Sequence, residues 1–315
     1  MILFLVRRLG HGLFVLLLVS TVTFAIMMAA PGGPSLLADP KLSVAERAAI
    51  ETRLGLDQPA TVQYTRWLGR AVRGDLGASF LYQTSSLATI GARLPQTLLL
   101  AGTALLLTIG VGIPLGISAA AHPGSSLDRF VTLSSGIALA VPAFWLGLMS
   151  ILVFAVWARA LPAGGAVTEG DVVGLADRLR HLLLPALVLA AAGCAEVVRY
   201  TRSAARTTLA QPFIQAARAR GISPRRILWR HVLRHALLSV VNVIGLQLPR
   251  LVGGAAITET VFSWPGMGRL GVEAALGRDY PLVMAVTLVV SAGVVIASIV
   301  ADVTQMLMDP RIRAT

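Results

Sequence analysis

Six apolar segments of this 315-residue chain are each long enough to cross a lipid bilayer, for which roughly 20 residues suffice in a helix. They lie at 9–30, 97–121, 131–157, 182–202, 237–260 and 283–307. Hydrophobic residues make up 56% of the chain and charged residues only 13%, which excludes a soluble globular domain of this length. The sequence therefore predicts an all-α polytopic membrane protein with six transmembrane helices.

Arginine placement predicts which side of the membrane the connecting segments occupy. Arg7 and Arg8 precede the first span, an arginine-rich stretch separates the fourth and fifth spans, and Arg311 and Arg313 follow the last. Six spans put both termini on one side, and the positive-inside bias makes that side cytoplasmic. The net charge of +12 is then accounted for by cytoplasmic loops and anionic lipid, so no nucleic acid partner is expected.

On this basis the chain divides into four segments. They are an N-terminal transmembrane helix at 1–30, an external helical insertion at 31–96, a five-helix core at 97–307 with a cytoplasmic hairpin at 203–236, and a cytoplasmic tail at 308–315. In the insertion, Ser43 and Glu46 have capping-box spacing and Gly55 is placed to end that helix. A second helix is expected from Pro59 to about Arg73.

The predicted hairpin is the most basic part of the chain. Residues 199–234 contain nine arginines and no acidic residue. Gly221 suits the left-handed position that ends a helix, Ser223 can cap the next helix, and Pro224 fits its first position. These signals predict two short helices joined by a tight stop.

The two hairpin helices differ in surface chemistry. The first carries small side chains that let another backbone come close, at Ala216, Ala217 and Ala219. The second carries arginines four residues apart, at Arg226, Arg230 and Arg234. Because like charges at this spacing repel within an isolated helix, an anionic surface of lipid or of another protein must lie nearby. The hairpin is therefore predicted to dock on a partner.

The hairpin also resembles the EAA loop of bacterial ABC importer permeases, whose pattern is Glu-Ala-Ala, three residues, then Gly. Gln215 stands in place of the Glu, while Ala216, Ala217 and Gly221 match. Further blocks are similar to the dipeptide/oligopeptide (peptide/nickel) branch of that family, in its first-permease type: LGLDQP at 54–59, RGDLGASF at 73–80, ETVFSWPGMGRL at 259–270 and DPRIR at 309–313. Together, and in this order, they extend the resemblance over nearly the whole chain.

This resemblance implies a type I importer transmembrane domain of MetI-like fold, in the bacterial cytoplasmic (inner) membrane and without enzymatic activity. The implied partners are a second related permease, two ATPase subunits or a fused one, an extracytoplasmic solute-binding protein and membrane lipid. ATP and magnesium would be held by the ATPases, and this chain has no phosphate-binding loop and a single lysine, Lys41. In the family the EAA hairpin fits the ATPase, which assigns coupling to Gln215, Ala216, Ala217, Arg218, Arg220 and Gly221.

The implied function is import of di- or oligopeptides by alternating access, with nickel complexes or glutathione as alternative cargo. An ion-coupled secondary transporter would instead show inverted repeats and buried acidic relays, and neither is evident. An intramembrane enzyme would need a Ser–His or paired-Asp constellation inside the spans. His231 and His235 are four residues apart without a carboxylate neighbour, so no metal site is expected.

Arg250 is an unusual residue because it lies about midway through the fifth apolar segment. A charge there costs roughly 2.5–3.5 kcal/mol on insertion scales, so it should face a polar interior, a partner or a solute pathway. Two interpretations remain open: Arg250 and Glu259 line a possible translocation pathway, or Arg250 forms a structural ion pair, for which Glu259 is a candidate partner. Glu196 in the fourth segment is expected to pair locally with Arg199.

Overall fold

The computed structural model describes residues 2–31, 33–34, 37, 42–168, 170 and 174–308. Lys41 and the DPRIR block at 309–313 lie outside these residues, as does nearly all of the tail predicted at 308–315. The helices are α1 Ile2–Ala29, α2 Val44–Leu54, α3 Ala60–Ala71, α4 Ser86–Ala121, α5 Ser126–Ala140, α6 Ala143–Ser150, α7 Leu175–Leu209, α8 Pro212–Ala219, α9 Pro224–Arg226, α10 Leu233–Val261, α11 Met267–Leu276 and α12 Tyr280–Met308. Two π-helical turns, Ile151–Trp157 and Ile227–Val232, continue α6 and α9.

The membrane-spanning helices confirm the all-α polytopic class. Among the described residues, four continuous helices are long and apolar enough to cross a bilayer: α1, α4, α7 and α12. Two bent pairs in the same part of the chain bring the number of candidate spans to as many as six: α5 with α6 and its π turn, and Pro224–Leu237 with Val240–Leu251, which are bent by 56° within α10. Helices α4 and α7 begin at Ser86 and Leu175, earlier than their apolar segments, because their first turns carry polar residues that a hydropathy criterion leaves out.

The third predicted span, 131–157, is not one straight helix. Helix α5 ends at Ala140 and α6 starts at Ala143, and the two meet at an angle of 107°. Pro142 lacks an N–H and disfavours helical dihedrals at the residue before it, and Val141 is indeed extended at φ −85° and ψ 126°. By contrast, α7 and α10 continue through Pro185 and Pro249.

By packing, the chain forms two compact units, residues 1–97 with 265–295 and residues 98–264 with 296–315.

In the first unit, the capping box of α2 is confirmed: Ser43 Oγ accepts from the Glu46 N–H at 3.3 Å, and Glu46 Oε2 accepts from the Ser43 N–H at 2.8 Å. Hydrogen bonds from the Ser43 side chain and backbone lower the pKa of the Glu46 carboxyl. Gly55 ends α2 at φ +68°, as predicted. The four segments predicted from the sequence were divided by their expected side of the membrane and not by packing, so that division stays a prediction.

Helix α3 packs on α1 within this first unit. Tyr64 Oη lies 2.9 Å from the hydroxyls of both Ser20 and Thr21, and Trp67 is buried against Met27 and Met284. The sequence predicted the helix α3. The partner of its aromatic residues on α1 became visible only in the structure.

In the second unit, Trp264 is a packing residue. Trp264 is almost fully buried against Leu100, Leu182 and Ala186, and its backbone N–H donates to the carbonyl of Glu259 at 2.8 Å. The similarity of the block around Trp264 to related permeases therefore reflects the core of the bundle at the end of α10.

Close approach of α4 and α7 depends on Gly116. A Cβ added there would lie 2.6 Å from Thr201 Cβ and 2.8 Å from the Val198 carbonyl oxygen. Because that carbonyl belongs to the α7 backbone, Gly116→Ala should force the helices apart and cost about 1–3 kcal/mol. We expect a lower thermal unfolding temperature of the purified complex. Gly110→Ala is the matched control on the same helix, since a Cβ added at Gly110 would have nothing within 4 Å; equal melting of the two variants would contradict the contact.

Candidate functional site

The predicted hairpin is present, with one difference in its second arm. Helix α8 starts at Pro212 and is followed by Gly221 in the left-handed conformation at φ +73°, and Pro224 is the first residue of α9. Ser223 occupies the N-cap position, but its side chain makes no capping hydrogen bond. The second arm is not a separate helix: α9 and the π turn continue into the first turns of α10, which then bends by 56° between Leu237 and Val240. The hairpin is therefore joined to a membrane span through a bend.

One face of α8 is used to attach the hairpin to its own unit. Ile214 and Ala217 are buried in a cluster with Ala120, Ala205, Ile227 and Val232. Ala217 lies three residues from Ile214 and so on the same inward face, and its predicted part in coupling stays a prediction. Ala217 determines how α8 is held on α4 and α7.

The opposite face of α8 is open. Its exposed residues include the predicted coupling residues other than Ala217, namely Gln215, Ala216, Arg218, Arg220 and Gly221, together with Ala219. Small side chains at Ala216 and Ala219 leave the helix backbone accessible. This surface has the properties of a docking knob.

The arginines of the second arm are exposed, as expected of a surface awaiting an anionic partner. Arg226, Arg230 and Arg234 are all exposed, and Trp229 is partly exposed beside them. A shallow cleft of about 520 Å³ is lined by Ser223, Arg225, Arg226, Trp229 and Arg230, with no carboxylate among them. The π-helical turn in this arm was not predicted; such turns often occur at functional positions.

Arg250 has a partner that the sequence did not indicate. Its Nη1 donates to Glu196 Oε1 at 3.1 Å, so the structural ion pair is formed with Glu196 on α7. The suggested pairs Arg250–Glu259 and Glu196–Arg199 are therefore corrected. Glu259 is completely buried and belongs to the packed end of α10. Packing of α7 against α10 brings together residues 54 positions apart, which no local spacing can reveal.

The Glu196–Arg250 pair borders a cavity of about 720 Å³ in the second unit. Other polar residues on its wall are Thr132, Ser135, Arg199, Tyr200, Arg202 and Ser203. Polar side chains on span helices avoid lipid, so this face is suited to a water-filled path or to a partner subunit. Arg250 lies on a cavity wall, which agrees with the hypothesis that it lines the translocation pathway. Its ion pair with Glu196 agrees with the hypothesis of a structural ion pair.

Asp128 was missed by the sequence analysis. Its carboxylate accepts from the Gly124 N–H at 2.9 Å and from Nη2 of Arg202 at 3.0 Å, and Nε of Arg202 donates to the other oxygen. Asp128 thereby joins the turn before α5 to α7. Its partner Arg202 is close to the hairpin in sequence. Ser125 at the N-cap, three residues before Asp128, was an available local signal.

Among the described residues, no group of three or more His, Cys, Asp or Glu side chains is arranged to hold a metal ion. His235 Nδ1 lies 2.9 Å from the His231 carbonyl oxygen, which is a local helix contact.

Bent spans, an exposed hairpin and a polar cavity between span helices define a helical membrane transport protein. The chain belongs to the family described as binding-protein-dependent transport system inner membrane component, which matches residues 112–314; its N-terminal companion family matches residues 1–101. The chain is thus a multi-pass permease component of a binding-protein-dependent ABC importer.

Similarity to individual proteins extends over the full chain. It is 42% identical to the oligopeptide transport system permease protein AppB of Bacillus subtilis (strain 168), over 98% of both chains. It is 33% identical to the dipeptide transport system permease protein DppB of Escherichia coli (strain K12), over 99% of both. An inward-facing structure of the MetNI methionine ABC transporter matches with a TM-score of 0.58 and 20% identity, covering 71% of this chain and 97% of that one. This likeness confirms the predicted MetI-like fold.

Proposed function

We propose that this permease forms half of a translocation path for di- and oligopeptides, and that a second, related permease forms the other half. The observation that carries the proposal is the polar cavity with its Glu196–Arg250 pair on span helices of a chain similar throughout its length to oligopeptide and dipeptide permeases. A water-accessible site with both charges is suited to a solute with charged ends. An extracytoplasmic solute-binding protein would deliver that solute.

In this proposal the exposed face of α8 docks on a partner ATPase, and both chain termini are cytoplasmic. The small residues Ala216 and Ala219 permit close approach, while the arginines of the second arm lie against acidic protein groups or lipid headgroups. ATP and magnesium belong to the ATPase subunits, so this chain does no covalent chemistry. Its part is to convert movement of the ATPases into movement of spans.

The local geometry explains how such conversion would work. Ile214 and Ala217 fix α8 to the ends of α4 and α7, and the second arm runs directly into α10. Closure of the ATPases would therefore displace α7 and α10 together through packed helices, as in rigid-body switching. Because the cavity lies between these same helices, its opening would alternate between the two sides of the membrane.

The proposal is tested with the whole complex in proteoliposomes. The two permeases, the ATPases and the binding protein are purified together, and accumulation from a casein peptide digest is measured by mass spectrometry. ATP should drive accumulation of peptides, and a proton ionophore should leave it unchanged. Accumulation that needs an ion gradient, or uptake of nickel complexes or glutathione without peptides, would overturn the proposal.

A further inference from the structure

Glu196 and Arg250 form an ion pair that is open to the cavity. The side chain of Arg250 is 68% exposed and that of Glu196 is 29% exposed in the single chain. Both charged groups are therefore reachable by a solute in the cavity. Charged side chains on span helices are costly and commonly mark solute pathways, so this pair is a candidate contact for a solute.

A neighbouring amide holds Glu196 in place. Gln247 is almost fully buried, and its Nε2 donates to the Gly193 carbonyl oxygen at 3.1 Å and contacts Glu196 Oε2 at 3.4 Å. A Cβ on residue 193 would lie 2.6 Å from Gln247 Oε1, so glycine leaves room for this amide. Glu196 is thus positioned on a packed support, whereas Arg250 extends into the cavity.

We propose that Glu196 and Arg250 recognise the two charged ends of a zwitterionic peptide during its passage. Glu196 takes the terminal ammonium group, and Arg250 takes the terminal carboxylate. This inference rests on the proposed peptide-import function and adds the residues that select for free termini. A cavity of about 720 Å³ lies within the range of sites that hold small-molecule ligands.

The chemistry of the pair favours a ligand with both charges. A solute that carries only a carboxylate would draw Arg250 away from Glu196 and break their ion pair, which is costly inside the membrane. A solute with only an ammonium group would draw Glu196 away and break the same pair. A zwitterion replaces the protein ion pair by two new ones, so no charge is left alone.

The decisive variant removes both charges at once, as Glu196→Gln with Arg250→Met. A structural ion pair can be replaced by uncharged side chains of similar volume with little loss, whereas a site that binds both termini cannot. In proteoliposomes we expect uptake of the casein digest to fall about tenfold or more, the loss of at least one charge-assisted hydrogen bond. ATP hydrolysis stimulated by the binding protein should remain. Wild-type uptake by the double variant would overturn the proposal.

Single variants test which terminus each residue recognises. The digest is supplied with free termini, N-acetylated or C-amidated, and only peptides that the binding protein retains in both forms are compared. Arg250→Met should lose the preference for free over amidated peptides, and Glu196→Gln the preference for free over acetylated ones. An equal change for all three digests would show that the pair does not read termini.

A matched control uses another ion pair of this chain. Arg269 Nε donates to Glu273 Oε1 at 2.7 Å, and neither residue borders the cavity. Arg269→Met with Glu273→Gln should leave the preference among the three digests unchanged. Absence of peptide uptake by the wild-type complex would refute the peptide-import function itself, and is thereby distinguished from failure of the recognition site.

Discussion

Replacing Ala216 with tryptophan should lower ATP-driven uptake by about tenfold to a hundredfold while the permease still inserts and folds. Ala216 is exposed on the outward face of α8, so the larger side chain meets nothing within its own chain. At a close-packed docking surface such a side chain costs about 1–3 kcal/mol, and each 1.4 kcal/mol is about tenfold in affinity. Co-purification of the ATPase subunits and uptake in proteoliposomes would both report the loss.

Two other alanines make this experiment specific. Ala48, exposed on α2, is a matched control, and Ala48→Trp should leave co-purification and uptake unchanged. Ala217→Trp should behave differently, because Ala217 is only 8% exposed and its enlargement disturbs the cluster that holds α8. Its expected effect is a poor yield of folded permease. If Ala216→Trp binds the ATPases and transports normally, α8 is not the coupling element.

Replacing Asp279 with alanine should destabilise the first structural unit by at least about 3 kcal/mol. The buried carboxylate accepts hydrogen bonds from Ser79 Oγ, from the Leu81 N–H at 3.0 Å and from the Leu282 N–H at 3.2 Å. Each buried donor left without an acceptor costs about 1–3 kcal/mol. We expect a markedly lower temperature at which the purified complex loses its monodisperse profile.

Asp279→Asn should have an intermediate effect, since an amide oxygen can still accept at the first turn of α12. Asp57→Ala is the control, because Asp57 is exposed. Melting of Asp279→Ala at the temperature of Asp57→Ala would show that this carboxylate does not join residues 79–81 to α12. Neither variant touches the cavity or the hairpin, so uptake per folded complex should be unchanged.

Most local features of the fold were predictable from single segments of sequence. The Ser43–Glu46 capping box, the left-handed Gly55 and Gly221 and the start of a helix at Pro224 all occur as predicted. Each depends on backbone preferences that act within a few residues. The bend at Pro142 follows from the same local chemistry.

The residues of the candidate sites could be predicted from the sequence, but most of their contacts could not. The residues predicted to couple to a partner could be named from pattern and resemblance, but the inward orientation of Ala217 depends on its contact with Ala120 and Ala205. Arg250 could be singled out as a charge within a span, yet its partner was wrongly sought nearby. The long-range partners of Asp128 and Asp279 could not be predicted, because Arg202 and Leu81 come from distant parts of the chain.

The sequence by itself determined that this protein is a helical membrane protein with a basic hairpin that carries small residues, and its resemblance to importer permeases indicated the family. The length of the apolar segments, the placement of the arginines and the residues that end helices are local properties, so they can be recognised without knowledge of the fold. Only the tertiary structure decided that Glu196 meets Arg250, that Gln247 supports Glu196 and that Ala217 is buried. The physical reason is that these contacts depend on the rotation and depth of one packed helix against another, which composition and spacing within either helix leave undetermined.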